Sequence, residues 1–198
     1  MEKVNFRNDA ITSEEELREI VGTPHQFVKN KIVEIIDEQC KTFISMSPLV
    51  FMATADADGN CDVSPRGDKP GSVRILNDRQ LVIADRPGNR RVDSILNLLS
   101  NPHVGLLFVI PGMDEVLRVN GRATIIKNKD ILAEMSINDK LPLVGIGVDV
   151  EQCFIHCTRA LQKSKVWDAE SWLNKDDVPS MMDIYRSHLK LNGLELKE

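Results

Sequence analysis

Apolar positions along this chain follow two different periods, and the change between them divides it. Near the N-terminus, Ser13-Glu14-Glu15-Glu16 has the form of a capping box, and the helix it starts runs through Leu17, Ile20 and Val21 to a stop at Gly22. Phe27, Val28, Ile32, Ile35 and Ile36 then form a stripe at helical spacing, which predicts a second helix from about Pro24 to Phe43. That period ends at Ser47-Pro48, and from Leu49 the pattern is one of strands. Leu49–Ala55 reads as a strand, Asp56-Ala57-Asp58-Gly59-Asn60 as a hairpin turn and Cys61–Arg66 as the returning partner. Ser72–Leu76, Leu81–Ala84, Val104–Ile110, Val116–Ile126 and Gly147–Thr158 are further strands, Pro111-Gly112 breaking the series between the third and fourth of these. Val92, Ile95, Leu96 and Leu99 fall on one face of a helix, Lys129–Ile137 predicts a short helix, and Pro179–Leu191 is helical again. Strands joined by tight turns, with few and short helices between them, predict a mainly antiparallel barrel.

The reading is therefore α+β: mainly β with flanking helices, in a single domain. A helical extension is expected over 1–48, the barrel over 49–165 and a helical tail, packed on the barrel, over 166–198. The length of 198 residues suits one elaborated domain on the usual scale of about 100–200 residues. Formal charge is −5 with acids and bases interleaved, which gives little support to contact with a nucleic-acid backbone. Met1–Arg7 holds no apolar core of a secretory signal, and the longest apolar run, Val104–Ile110, is far short of the ~20 residues of a membrane span. Cys40, Cys61, Cys153 and Cys157 show no framework spacing. A reduced, cytoplasmic protein with no membrane or nucleic-acid partner is the expectation.

The segment Asp85-Arg86-Pro87-Gly88-Asn89-Arg90-Arg91-Val92-Asp93-Ser94 carries the most chemistry. It leaves a strand and opens a helix, with Asn89 as the expected N-cap, so Arg86, Arg90 and Arg91 sit at a helix N-terminus. Exposed cations there cost roughly 0.3–1 kcal/mol each against the macrodipole, so local stability does not explain them. Backbone N–H groups, a glycine and guanidinium forks together describe an anion socket, most naturally for phosphate. A solvated basic turn that pairs with nearby acids is the other reading. In Cys61–Arg66, Asp62, Ser64 and Arg66 share one strand face, and Pro65 marks an edge or a bulge. Ser64 and Arg66, beside Gly67, form either a ligand rim or ordinary surface. Lys163-Ser164-Lys165-Val166-Trp167 either closes over an anion and a ring system or is an exposed turn anchored by Trp167. Cys153-Phe154-Ile155-His156-Cys157 does not converge on an ion from a regular strand, since His156 points away from the cysteines, so no metal site is assigned. The four histidines are scattered, and no nucleophile–base motif is present.

Taken in order, these segments resemble the FMN-binding split-barrel family related to pyridoxamine 5′-phosphate oxidase, in a bacterial subgroup of FMN-dependent enzymes. The resemblance runs from about Phe43 through Trp167. It is carried by Ala53-Thr54-x-Asp56-x-x-Gly59, Val63-Ser64-Pro65-Arg66-Gly67-Asp68-x-Pro70-Gly71, Asp85-Arg86-Pro87-Gly88-Asn89-Arg90, Asn101-Pro102-x-Val104-Gly105-Leu106-Leu107-Phe108 and Arg118-Val119-Asn120-Gly121. It implies an antiparallel FMN-binding split barrel and a homodimer with FMN at the subunit interface. By position it implies that Asn89, Arg90 and Arg91 hold the FMN phosphate. Ser64, Pro65, Arg66 and Gly67 would line the flavin ring edge with Lys69 nearby, and Ala84 and Asp85 would pass the ribityl chain. Val116 and Leu117 would come from the second subunit, and Lys163, Ser164, Lys165 and Trp167 would complete the pocket. Ser180–Glu198 lacks the Arg-Leu-His-type motif with which the true oxidase grips pyridoxine phosphate, so oxidation of vitamin B6 is not implied.

The function implied is an FMN-dependent oxidoreductase acting on an unidentified small molecule by hydride transfer through flavin N5, with an electron donor such as NAD(P)H. The alternatives are a non-catalytic flavin-binding or flavin-sensing protein, or another cofactor such as haem or a deazaflavin in the same barrel. No catalytic acid or base is assigned.

Overall fold

The computed structural model describes residues 4–194. The strands are β1 (Leu49–Ala55), β2 (Cys61–Gly67), β3 (Arg74–Asn77), β4 (Gln80–Ala84), β5 (His103–Val109), β6 (Val116–Ile126) and β7 (Gly145–His156). They form one antiparallel sheet in the order β2-β1-β5-β6-β7-β4-β3. The helices are α1 (Glu14–Val21), α2 (Gln26–Lys29), α3 (Glu38–Met46), α4 (Asp93–Ser100), α5 (Lys129–Ala133), α6 (Arg159–Ser164) and α7 (Met181–Leu191). None among the described residues is long and apolar enough to cross a membrane.

The sheet curls around the side chains of alternate residues. β1 turns Val50 and Met52 inward, β5 turns Val104, Leu106 and Phe108, β6 turns Leu117, Val119 and Ala123, and β7 turns Ile146, Val148 and Val150. Ile95 and Leu98 of α4 and Ile44 of α3 join the same core. β4 is buried on both faces: Leu81 and Ile83 face that core, while Val82 and Ala84 pack with Met135 beyond α5. β2 and β4 are not hydrogen-bonded to each other, so the barrel is split there. Pro65 lies on β2, a terminal strand of the sheet, where its missing N–H leaves the ladder to β1 intact.

One irregularity resets the alternation. Asn120 pairs with Gln152 but Gly121 pairs with Val150, so Glu151 is an extra residue on β7. Beyond this bulge the inward position is Cys153, an odd residue after a run of even ones. The strands close so tightly here that a Cβ on Gly121 would lie 2.1 Å from the Asp149 carbonyl oxygen.

Three expectations are corrected. The predicted helix from Pro24 to Phe43 is a single turn, α2, followed by extended chain and then α3. Val33 exchanges backbone hydrogen bonds with Cys153 at 3.1 and 2.7 Å, and Asp37 caps α3 by accepting the Cys40 N–H at 2.8 Å. Pairing with a strand satisfies donors that an isolated helix turn would leave to solvent, and of the apolar stripe only Ile36 is buried. Asn89 is not the N-cap of α4. Val92 occupies that position with φ 52°, and no side chain caps the helix. Asn89 instead accepts the Arg91 N–H at 3.0 Å, which tightens the turn ahead of the helix. The Lys129–Ile137 helix ends early, at Ala133.

Gly121→Ala is expected to destabilise the fold by about 1–3 kcal/mol, the range for overpacking, because backbone must move to admit the methyl. Urea denaturation measures this, and an unchanged midpoint would mean that β6 and β7 separate there without penalty.

Candidate functional site

The free edge of β2 and the turn that leaves β4 face one another across the split, and a groove of about 1010 Å³ lies between them. Strand alternation places Asp62, Ser64 and Arg66 along its β2 side, all half-buried. The turn 85–92 and the first residues of α4 form the other side. Ile95, Ile125, Leu141, Leu143 and Val144 add an apolar shelf. Arg90 and Val92 both have left-handed backbone, at φ 64° and 52°. A β-branched residue in that region is strained, which marks a turn held in shape by its surroundings.

The arginines of the groove are not equivalent. Arg86 donates from Nε to Asp68 at 2.8 Å and from Nη1 to the Met135 carbonyl at 2.8 Å. Arg66 donates from Nη1 to Asp85 at 3.2 Å, but its Nε is buried with no partner among the described residues. Arg91 pairs with Asp93 at 2.8 Å; that hydrogen bond chiefly, with the nearby charge of Asp62, pushes the Arg91 pKa up. Arg90 is exposed and forms no ion pair among the described residues. Arg86 is thus a strut, whereas Arg66 and Arg90 keep donors available for a ligand.

A second polar feature runs beneath the turn. The Ser94 hydroxyl, in a residue only 1% exposed, donates to Asp62 at 2.7 Å and lies 3.0 Å from the Ser64 hydroxyl. Asn97, one turn along α4, donates to Thr54 on β1 at 3.1 Å, which fixes the helix on the barrel.

Of the residues expected from sequence, Ser64, Pro65, Arg66, Asp85, Asn89, Arg90 and Arg91 line the groove. Gly67 and Ala84 line a smaller cavity of about 200 Å³ that shares Pro65, Arg66 and Arg86 with it. Lys69 is exposed outside both. Val116 and Leu117 are buried, Leu117 in the core of its own barrel. Lys163, Ser164 and Lys165 are exposed on α6 and its C-terminal turn, and the indole of Trp167 donates to the Met113 carbonyl at 2.8 Å. None of these last six lines the groove of this subunit. Among the described residues, no cluster of three or more His, Cys, Asp or Glu side chains is placed to hold a metal ion.

Sequence reasoning left out Asp62 and Ser94 as site residues. Asp62 was accessible through the two-residue period it shares with Ser64 and Arg66. Ser94 was hidden, because its burial depends on how α4 seats against β2. Leu141 and Leu143 come from the segment before β7, and no pattern in the chain singles them out.

Comparison with known proteins adds a family. The sequence model for pyridoxamine 5′-phosphate oxidase matches residues 36–157. Solved structures of similar architecture include HupZ of Group A Streptococcus (22% identity, 61% of this chain and 93% of that one, TM-score 0.47). General Stress Protein 26 of Bacillus anthracis is another (18% identity, 60% and 91%, TM-score 0.46). A third is HutZ, the heme storage protein of Vibrio cholerae (14% identity, 61% and 93%, TM-score 0.42). No curated protein sequence matches the chain.

Arg86→Met is expected to destabilise the fold by about 1.5–3 kcal/mol, the range for hydrogen bonds to charged groups, because it strands the half-buried Asp68. Arg90→Ala should stay within about 0.5 kcal/mol of the parent, as for surface changes generally. Urea unfolding of the two variants checks the division of roles, and equal losses would refute it.

Proposed function

Because the chain belongs to the pyridoxamine 5′-phosphate oxidase family, we propose that it binds FMN in the groove between β2 and the Asp85–Ser94 turn and acts as an FMN-dependent oxidoreductase on a small molecule. The observation that carries this reading is the state of the arginines. Buried Arg66 Nε without a partner and the unpaired Arg90, on either side of a groove with an apolar shelf, fit a ligand that joins an anion to a flat ring system. Asn89, Arg90 and Arg91 would hold the phosphate, Arg91 exchanging the exposed Asp93 carboxylate for it. Arg66 would donate to the ring edge, flanked by Ser64, Pro65 and Gly67, with Lys69 near the strand end and Ala84 and Asp85 beside the ribityl chain. The chemistry such a group supplies when bound is hydride acceptance at N5 and return of electrons to an acceptor, with NAD(P)H as a candidate donor.

The assembly proposed is a homodimer with its sites at the subunit interface. The outward face of β2, β1 and β5 supports this: Val63, Ala53 and Gly105 lie in one register row and Phe51 with Leu107 in the next, with Phe51 and Val63 37% and 66% exposed. The Trp167 indole ties the Lys163–Trp167 turn to the β5–β6 turn, three residues ahead of Val116. Lys163, Ser164, Lys165 and Trp167, assigned to the partner's site, are therefore held against the turn that leads into Val116 and Leu117 and can be offered across an interface together, whereas the Leu117 side chain stays in the core of its own barrel.

A second reading, a flavin-binding or flavin-sensing protein without turnover, is favoured by one observation. Among the described residues, no His, Cys, Tyr or Lys of this subunit lines the groove. Its carboxylates are engaged too, Asp85 by Arg66, Asp93 by Arg91 and Asp62 by Ser94. Anaerobic bleaching of bound flavin by NADH or NADPH separates the two readings.

Purified protein should take up FMN near one per subunit and prefer it to riboflavin. Arg90→Ala should weaken FMN binding by about 1.5–3 kcal/mol while leaving riboflavin unaffected. Titration by flavin fluorescence tests both, and equal affinity of the parent for the two flavins would remove the phosphate socket. Sedimentation of the FMN-loaded protein at low micromolar concentration should show one dimeric species. A monomer that keeps FMN would leave only a one-subunit site.

A further inference from the structure

Hydrogen-bond bookkeeping fixes the direction of the chain formed by Asp62, Ser94 and Ser64. An ionised carboxylate only accepts, and each serine hydroxyl has a single proton. Ser94 sits 2.7 Å from Asp62 Oδ2 and gives its proton there. The 3.0 Å contact between Ser94 and Ser64 is then satisfied in one way, with Ser64 as donor. Ser64, on the wall of the groove, has lone pairs left and no proton free to donate.

We infer that Asp62 and Ser94 act as positioning residues that hold Ser64 as a hydrogen-bond acceptor, so that the groove selects a ligand bearing an O–H or N–H donor as well as an anion. This rests on the flavin reading, within which two groups have that chemistry: a ribityl hydroxyl and the ring imide N–H. The two sides of the groove then make opposite demands. Arg90 and Arg91 require an acceptor, and Ser64 requires a donor. A ligand that offers a lone pair at Ser64 meets another lone pair and loses its hydration without replacement.

The test uses the full chain and three flavins, with dissociation constants read from fluorescence quenching. They are FMN, FMN methylated at the imide nitrogen, and a flavin carrying a phosphopentyl chain in place of ribityl phosphate. The parent should bind one of the two analogues about fivefold to tenfold more weakly than FMN, the scale of one hydrogen bond. Which analogue suffers identifies the donor. Ser64→Ala should lose the same factor toward FMN and nothing further toward that analogue. Asp62→Asn can donate from its amide to Ser94 and so reverse the chain; it should reproduce the Ser64→Ala pattern although Ser64 is intact. Ser94→Ala, which releases the Ser64 proton, should reduce the discrimination to below about twofold, and Ser64→Thr should retain it. Uniform losses by Asp62→Asn and Ser94→Ala across the three flavins, or none with FMN, would overturn the assignment while leaving FMN binding in place. Failure of the parent to bind FMN at all would overturn the flavin reading and this assignment with it.

Discussion

The sheet ends at β2 on one side and at β3, beside β4, on the other, and no backbone ladder joins β2 to β4. What crosses the split instead is a pair of reciprocal ion pairs: Arg66 of β2 to Asp85 after β4, and Arg86 after β4 to Asp68 after β2. Each partner is roughly three-quarters buried, where a charge-assisted hydrogen bond is screened less than at the surface. The groove exists because this junction is made of side chains, which leave space between them, and not of a ladder, which would fill it.

From that junction the rest of the site follows. Arg66 and Arg86 separate the large groove from the smaller cavity, so they set the depth to which a ligand can reach. The turn between Arg86 and α4 is tethered at both ends, by Arg86 to Asp68 and by Ser94 to Asp62. Between the two tethers the chain accommodates two left-handed residues, Arg90 and Val92, and no side-chain cap for α4. The strain is borne by contacts on either side, and the guanidinium of Arg90 is left outward and unpaired as a result.

Much of this was legible before the structure. β1 and β6 fall on the residues that alternation alone predicts, because a strand with one face in a core repeats every two residues. The same period placed Ser64 and Arg66 on one face of β2. Where the chain misled, two structures satisfied one pattern. Ile32, Ile35 and Ile36 suit a helical stripe, yet only the pairing of Val33 with Cys153 decides that the segment is extended, and that partner lies 120 positions away. The Asn89 cap failed for a local reason, since its side chain found a nearer N–H at Arg91. Ser94 and the leucines at 141 and 143 could not be assigned at all, because their place in the groove is made by segments that sequence does not show to be neighbours.

Near the Glu151 bulge β7 also loses one of its two neighbouring strands. Residues 145–149 of that strand are flanked by β6 and β4, but from Glu151 onward only β6 remains beside it. A row of peptide groups would there face outward as a template on which a strand from another chain could add. The N-terminal segment covers it: Val33 bonds Cys153 in both directions, Lys31 donates to the Ile155 carbonyl at 2.7 Å, and the same ammonium stands 5.3 Å from the Phe154 ring centroid. Seen this way the segment before α3 is a guard against aggregation. Proteolytic trimming that removed Lys31 and Val33 would leave the groove untouched and make the protein adhesive to its own kind.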